Sequence, residues 1–202
     1  MGVSIRFRAV MDSERETYRG REFVVAFFLA DGAIAVYEKV ERNSGLPGGR
    51  FLEKIKVKHP ERSATCPLGD RDPNYYYIAS DFFIGARVDV LSYRFVLLDA
   101  DPRTLTYMEA HPFDFPLCNV DWVVEKLHVK ESECGKSVDA LCNSRDSEHN
   151  GMITLQQFRE VIQQMNIDFS EQEVITIARR FSYEELGGKM SYKELCTMMA
   201  KY

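Results

Sequence analysis

The amino-acid sequence predicts an α+β protein in which a domain of antiparallel β-strands precedes a helical domain. The first 118 residues hold ten of the 13 phenylalanines and seven of the ten tyrosines, and aromatic side chains favour strands. In the remaining 84 residues, apolar side chains recur every three or four positions, which is the spacing of amphipathic helices. The change from one pattern to the other lies beside Pro112 and Pro116. Because proline disfavours both helices and central strands, this stretch is predicted to join the two domains.

The first half contains a series of short predicted strands. Apolar and polar side chains alternate from Val3 to Ala9, as in a half-buried strand. The apolar run Phe23–Ala30 predicts a strand covered on both faces, and Asp31-Gly32 predicts the turn to a return strand, Ala33–Val40. Further strands are predicted at Phe51–Lys58, Ile84–Val90, Arg94–Leu98 and Leu105–Glu109, with loops at 43–49 and 59–80 and a turn at 99–102. Six or seven strands in about 110 residues predict a closed or nearly closed barrel or a sandwich.

The second half contains a series of predicted helices. Asn119 is a good N-cap for the first of them, and Ser170 with Glu173 forms a capping box at the start of a later one. The apolar stripes that define these helices are Val120–Leu127, Leu155–Met165, Val174–Phe181 and Leu195–Met199. Stripes of this kind normally face a core.

The overall composition excludes several classes of protein. With 45% hydrophobic and 28% charged residues, the chain is globular rather than disordered or fibrous. A net charge of −5, from 26 basic and 31 acidic side chains, argues against a nucleic-acid partner. The longest apolar run, Phe23–Ala30, is far too short for a membrane span. Five cysteines without a CxxC pair predict reduced thiols in the cytoplasm rather than disulfides or a zinc site.

The sequence also predicts that the protein is not an enzyme and has no catalytic residues. The four histidines are scattered over both halves, and none has a recognised spacing to a serine or cysteine nucleophile. The glycine-rich stretch Gly45–Gly49 is not a phosphate loop, because no Gly-Lys-Ser/Thr follows it.

Residues 146–157 fit the twelve-residue EF-hand loop. Asp146 occupies position 1, Gly151 supplies the turn at position 6, and Ile153 at position 8 is placed to pair two loops. A fainter copy runs from Tyr183 to Glu194, with its turn glycine 37 residues after the first. This part of the chain resembles the EF-hand family, and the resemblance implies a pair of EF-hands over residues 133–202.

Calcium binding does not follow from the resemblance. The candidate calcium ligands of the first loop are Asp146, Glu148, Asn150, Met152, Thr154 and Gln157. Position 12 normally holds a bidentate glutamate, and here the neutral Gln157 stands there. In the second loop, Tyr183 and Gly187 supply no carboxylate at positions 1 and 5. We therefore expect no cofactor, and no calcium at physiological affinity, and interpret the pair as a calcium-independent scaffold.

Residues 43–51 read Asn-Ser-Gly-Leu-Pro-Gly-Gly-Arg-Phe, and Phe27–Glu38, Asp81–Gly85 and Arg94–Asp101 accompany this string. Together these segments resemble the DM-ten domain and cover most of residues 1–110. The resemblance implies a pleckstrin-homology-like antiparallel β-barrel over 1–115. A linker helix at 116–132 and a degenerate EF-hand pair at 133–202 complete the expected organisation.

A DM-ten domain followed by EF-hands resembles the myoclonin-type, EF-hand-containing ciliary proteins. The resemblance implies a non-enzymatic microtubule inner protein, a structural component of the doublet microtubules in ciliary and flagellar axonemes. It implies a location in the axoneme, cytoplasm and cytoskeleton. Tubulin and neighbouring inner proteins are the expected partners, with neither a nucleic acid nor a membrane span involved.

Basic side chains are the candidate tubulin contacts, because tubulin is acidic. Arg50, Lys54, Lys56 and Lys58 are the candidates, and strand alternation predicts one shared face for the three lysines. Lysines on an edge strand also deter aggregation, which is an alternative interpretation. Two alternative functions are open on the sequence: a phosphoinositide-binding module that uses Arg50, Lys54 and Lys56, and a calcium-responsive EF-hand regulator.

Overall fold

The computed structural model describes residues 3–13, 15, 18, 20–39, 48–182 and 188–202. The chain forms two compact units, Met1–Asp114 and Phe115–Tyr202. The first unit is built on an antiparallel sheet, and the second is helical. The predicted α+β fold class, a curled antiparallel sheet followed by helices, is confirmed.

A single antiparallel sheet forms the body of the first unit. Its strands are β1 (Ser4–Met11), β2 (Glu22–Phe28), β3 (Ala33–Glu38), β4 (Gly49–Ile55), β5 (Arg87–Val90) and β6 (Tyr93–Ala100). Within the described ranges the strand order is β4-β3-β2-β1-β6-β5. The predicted alternation in β1 is confirmed, since Ile5, Phe7 and Ala9 are fully buried. Gly32 makes the predicted turn between β2 and β3 with a φ of 64°.

The sheet curls into a half-barrel. Phe51 on β4 reaches across to Tyr93 on β6, with 5.1 Å between the ring centroids. The segment that follows β4 covers the opening between the two edge strands, β4 and β5. Within this segment Lys58 forms an isolated antiparallel β-bridge with Tyr76. The Tyr77 hydroxyl accepts a hydrogen bond of 2.9 Å from the Asp89 amide of β5. Within the described residues, β4 and β5 are not hydrogen-bonded to each other, so the barrel is open rather than closed.

Phe82 lies at the centre of the core of this unit. Its fully buried ring stacks on Phe27 at 4.5 Å and lies 6.4 Å from Phe7 and 5.9 Å from Tyr77. These contacts join the middle of the sheet to the segment that follows β4. The sheet and its covering segment therefore form one core.

The predicted strand Leu105–Glu109 is wrong, because these residues lie in a helix, Pro102–Ala110. The Asp101 side chain caps the helix by accepting a hydrogen bond of 2.8 Å from the Thr104 amide. Pro102 suits the first helical position, where its missing N–H is not needed. The Asp-Pro pair, interpreted as a turn, is therefore the start of a helix.

The region after β3 differs from prediction in several places. Strand β4 ends at Ile55, and this residue is 43% exposed whereas Val57 is 7% exposed. The predicted strand Phe51–Lys58 is therefore too long, because regular pairing with β3 stops at Ile55. The predicted loop 59–80 contains a helix, Pro60–Thr65, and 3-10 turns at 69–71, 73–75 and 79–81. Residues 40–47, with most of the predicted 43–49 loop and the end of the return strand, lie outside the described residues.

The second unit contains two helix–loop–helix segments. Counting the two helices of the first unit as α1 and α2, its helices are α3 (Val120–Cys134), α4 (Val138–Asn143), α5 (Leu155–Met165), α6 (Glu171–Arg180) and α7 (Tyr192–Met199). Strand β7 (Met152–Ile153) pairs antiparallel with β8 (Met190–Ser191) and joins the two loops. This is the layout expected of the predicted EF-hand pair. Over the described ranges, no helix combines the length and apolar character needed to cross a membrane.

The predicted linker helix at 116–132 contributes to the core of the second unit. Val123, Val124 and Leu127 of α3 are buried together with apolar side chains of α6 and α7. The predicted N-cap of this helix is present, since the Asn119 side chain accepts a hydrogen bond of 3.2 Å from the Trp122 amide. Helix α3 therefore packs into the core of the helical unit.

Candidate functional site

The first candidate site is a row of three exposed lysines, Lys54, Lys56 and Lys58, here called the basic row. Each ammonium lies over an aromatic ring. Lys54 Nζ is 4.2 Å from the centroid of Phe28 and also forms an ion pair of 2.5 Å with Asp31. Such cation–π contacts are worth about 0.5–1 kcal/mol at exposed sites, so they orient the lysines without removing them from water.

The other two members of the basic row lie beside neighbouring tyrosines. Lys56 Nζ is 5.7 Å from the ring centroid of Tyr76, and Lys58 Nζ is 5.0 Å from that of Tyr75. A hydrogen bond with Tyr75 raises the pKa of Lys58, so this ammonium stays charged across the physiological range. The fourth predicted contact, Arg50, forms an exposed ion pair of 3.3 Å with Glu53.

An open cleft of about 440 Å³ lies beside the basic row. Charges of both signs line it. The cations are Lys56 and Arg71, and the carboxylates are Asp31, Asp70 and Asp72. An anionic headgroup placed there would therefore meet more negative than positive charge.

The second candidate site is the first predicted calcium loop, and its buried acid is Asp146. This side chain is 3% exposed and accepts hydrogen bonds from the Gly151 amide (2.7 Å), the Asn150 amide (3.3 Å) and the Tyr192 hydroxyl (3.2 Å). Burial opposes ionisation of Asp146, but these hydrogen bonds outweigh it and lower the pKa of the carboxyl. The Asp146 carboxylate is thus fixed in place by hydrogen bonds from its own loop and from Tyr192.

The next two predicted ligands are also engaged by protein groups. Glu148 Oε1 lies 2.7 Å from the Lys189 ammonium, and Oε2 accepts a hydrogen bond of 2.7 Å from the Asn150 side-chain amide. The Asn150 side-chain oxygen in turn accepts one of 2.9 Å from the Met152 amide. Lys189 belongs to the second loop, 41 residues along the chain.

Gln157, at the last position of the loop, has both ends of its amide engaged. Its Oε1 accepts hydrogen bonds from the Thr154 amide (2.8 Å) and hydroxyl (3.0 Å), which completes a capping box at the start of α5. Its Nε2 donates to the carbonyl of Arg145 at 2.9 Å. As arranged, the loop does not fit a cation that needs six to eight free oxygens.

The second predicted loop is described only in part. Gly188 has a φ of 75°, as its turn position requires, and the Glu194 amide donates to Ser191 Oγ at 3.3 Å. Tyr183 and Gly187 lie outside the described residues. Within the described ranges, no group of three or more histidine, cysteine, aspartate or glutamate side chains is arranged to hold a metal ion.

Sequence reasoning missed the partners that close the first loop. Lys189 and Tyr192 come from the second helix–loop–helix segment, so no local spacing points to them. The available signal was indirect: pairing of the loops at Ile153 and Met190 places the residues around Met190 beside the first loop.

Two of the scattered histidines have structural partners. The ring of His59 caps helix α1 by accepting a hydrogen bond of 3.3 Å from the Arg62 amide. His111 Nδ1 lies 2.8 Å from the carbonyl oxygen of Tyr107, one turn earlier in the chain. Both contacts serve the ends of helices.

Comparison with known proteins identifies relatives over most of the chain. The DM10 domain family matches residues 2–104. The chain is 36% identical over 184 residues to EF-hand domain-containing family member C2 of Bos taurus, covering 90% of this chain and 24% of that relative. It is 32% identical over 181 residues to the Danio rerio protein of the same name, covering 90% and 24%. It is 27% identical over 221 residues to EF-hand domain-containing protein 1 of Homo sapiens, covering 93% and 33%. The chain thus spans about a quarter to a third of the length of these relatives.

Proposed function

Because this chain belongs to the DM10 domain family and matches EF-hand domain-containing proteins, we propose that it is a structural component of ciliary and flagellar doublet microtubules. In this role it is a non-enzymatic microtubule inner protein that binds tubulin and neighbouring inner proteins. The observation that carries the proposal is the resemblance of most of the chain, including both the DM10 domain and the helical unit, to the myoclonin-type ciliary family.

The basic row supports tubulin as a partner. Lys54, Lys56 and Lys58 are exposed and supported by aromatic rings, and the acidic surface of tubulin complements such a group of charges. One such contact is weak on its own, because exposed ion pairs contribute about 0–1 kcal/mol. Stable attachment therefore needs many contacts along a polymer, where each bound neighbour raises the effective concentration of the next.

The charges around the basic row disfavour a phosphoinositide headgroup. Asp31, Asp70 and Asp72 lie in the same cleft as Lys56 and Arg71, and Asp31 pairs with Lys54. A phosphoinositide-binding domain needs an excess of positive charge at its headgroup site. Acidic tubulin would meet the same carboxylates, so the proposed tubulin contact is made at the exposed lysines of the basic row rather than inside the cleft.

Fractionation of axonemes tests the proposal. The chain is tagged and expressed in a ciliated cell, and isolated axonemes are extracted first with detergent and then with high salt. We expect the tagged protein to remain in the salt-resistant doublet fraction together with tubulin. Release by detergent would indicate membrane attachment, and a diffuse cytosolic pool without axonemal signal would exclude the doublet as its location.

A further inference from the structure

We propose that the first loop of the helical unit is closed by the protein's own side chains, with Lys189 in place of a bound cation and Gln157 locked away from ligation. The loop would then keep its form at any calcium concentration. This inference concerns the helical unit alone and does not depend on where the protein is located.

The first step of the argument is the charge at the mouth of the loop. Lys189 Nζ lies 2.7 Å from Glu148 Oε1 and brings a full positive charge to a predicted ligand. The Lys189 side chain is about one third exposed and that of Glu148 is 60% exposed, so water screens much of the attraction between them. A divalent ion entering the loop has to displace this ammonium from the carboxylate.

The second step is the closing residue of the loop. The bidentate glutamate usual at position 12 supplies two oxygens and a negative charge to the cation. Gln157 is neutral, and its oxygen already accepts from the backbone and hydroxyl of Thr154. Turning this oxygen toward a cation breaks the capping box, and it also breaks the bond from Nε2 to the Arg145 carbonyl.

The third step is the cross-connection between the two loops. Tyr192 is 1% exposed, and its hydroxyl lies 3.2 Å from Asp146 Oδ2 and 3.3 Å from Asn143 Oδ1. Its backbone amide donates to the carbonyl of Gly151 at 3.2 Å. These contacts join the second segment to the first with groups that are present without any metal. The order that calcium imposes on an EF-hand is here supplied by hydrogen bonds and one ion pair.

Calorimetric titration of the full chain with calcium chloride at neutral pH tests the proposal. We expect no saturable heat from the unaltered protein up to about 1 mM calcium, the weak end of the range for EF-hands. The double variant Gln157→Glu with Lys189→Met restores the position-12 carboxylate and removes the internal cation. It should bind calcium at least about tenfold more tightly, with a dissociation constant of about 100 μM or lower.

A matched control tests whether tighter calcium binding depends on Gln157 and Lys189 themselves or only on the change in net charge. Gln156→Glu with Lys193→Met makes the same substitutions at neighbouring exposed positions, where Gln156 faces Glu160 and Lys193 pairs with Asp139. This variant should bind no better than the unaltered chain. Saturable binding by the unaltered chain below 1 mM overturns the proposal, and so does a folded Gln157→Glu, Lys189→Met variant that fails to bind.

Thermal unfolding provides a second readout and checks that each variant folds. The unaltered chain should unfold at the same temperature in calcium and in a calcium chelator, because a loop that binds nothing gains no stability from ligand. The melting temperature of the Gln157→Glu, Lys189→Met variant should rise when calcium is added. A calcium-dependent rise for the unaltered chain would contradict the proposal.

Discussion

At the scale of single residues, Arg62 holds the segment between β4 and β5 in place. Its guanidinium donates to both carboxylate oxygens of Asp81, at 2.8 and 2.5 Å, and to the backbone carbonyls of Asn74 and Tyr76. The hydrogen bond with Asp81 raises the pKa of Arg62, so this cation remains charged at every pH of interest. One side chain thus makes four hydrogen bonds to three residues of this segment.

We predict that Arg62→Lys lowers the free energy of unfolding by about 2 kcal/mol, because lysine cannot form the paired hydrogen bonds to Asp81 and leaves carbonyl groups unpartnered. Urea denaturation measures the loss. Arg71→Lys, at an exposed position in the same segment, should change stability by less than about 0.5 kcal/mol. Equal effects of the two substitutions would show that Arg62 has no special role.

The stability of the helical unit depends on pH through the ionisation of Asp146. Its pKa is lowered in the folded protein, so the ionised form is favoured by folding. The resulting stabilisation is complete above the pKa of the unfolded chain, about 4, and is lost as the pH falls through the lower folded value.

We therefore predict that Asp146→Asn destabilises the protein more at pH 6 than at pH 3. The substitution removes the charge that the Gly151 amide and the Tyr192 hydroxyl stabilise, and protonation removes the same charge from the unaltered chain at low pH. Urea unfolding of both proteins at the two pH values gives the comparison. A stability difference of the same size at both would mean that the charge of Asp146 contributes nothing.

At the scale of elements, α2 shows where sequence patterns are ambiguous. An Asp-Pro pair suits both a turn and a helix start, and both interpretations agree with residues 99–102. The burial of Leu105 and Met108, three residues apart, distinguishes helix from strand, but burial depends on the sheet beneath. The strand alternation of β1 and the capping box of α6 are local signals, and both are predicted correctly for that reason.

The cap of α2 can be tested directly. Asp101→Ala should lower the free energy of unfolding by about 1 kcal/mol, since it removes the acceptor for the Thr104 amide. Asp114→Ala, an exposed acid in the same unit, serves as the control and should be nearly neutral. Denaturant unfolding compares the two variants, and a neutral Asp101→Ala would show that the cap contributes no stability.

In the helical unit, too, features within one loop follow from the sequence pattern, whereas contacts between residues far apart in the chain do not. Gly151 and Ile153 follow from the loop pattern, and the structure places them at the turn and in β7. The contacts of Glu148 with Lys189 and of Asp146 with Tyr192 join residues more than 40 positions apart. They arise only once β7 and β8 pair, so no pattern within one loop could have predicted them.

At the scale of the whole molecule, the basic row links the fold to the proposed role. Reversing Lys54, Lys56 and Lys58 to glutamate should reduce incorporation into axonemes several-fold, because it places negative charge against acidic tubulin. Replacing the same lysines with arginine keeps the positive charge and allows contact with the aromatic rings, so it should reduce incorporation far less than the glutamate substitutions do. Quantitative immunoblotting of purified axonemes measures both variants. Normal incorporation of the folded glutamate variant would show that the basic row is not a tubulin contact.

The most direct test of the doublet-microtubule proposal is electron cryomicroscopy of doublets from ciliated cells with and without this protein. We predict that density that fits the two units of this chain, on the luminal wall or protofilament ribbon, disappears in its absence and returns on re-expression. Doublet interiors that are identical in the two preparations would contradict the proposal.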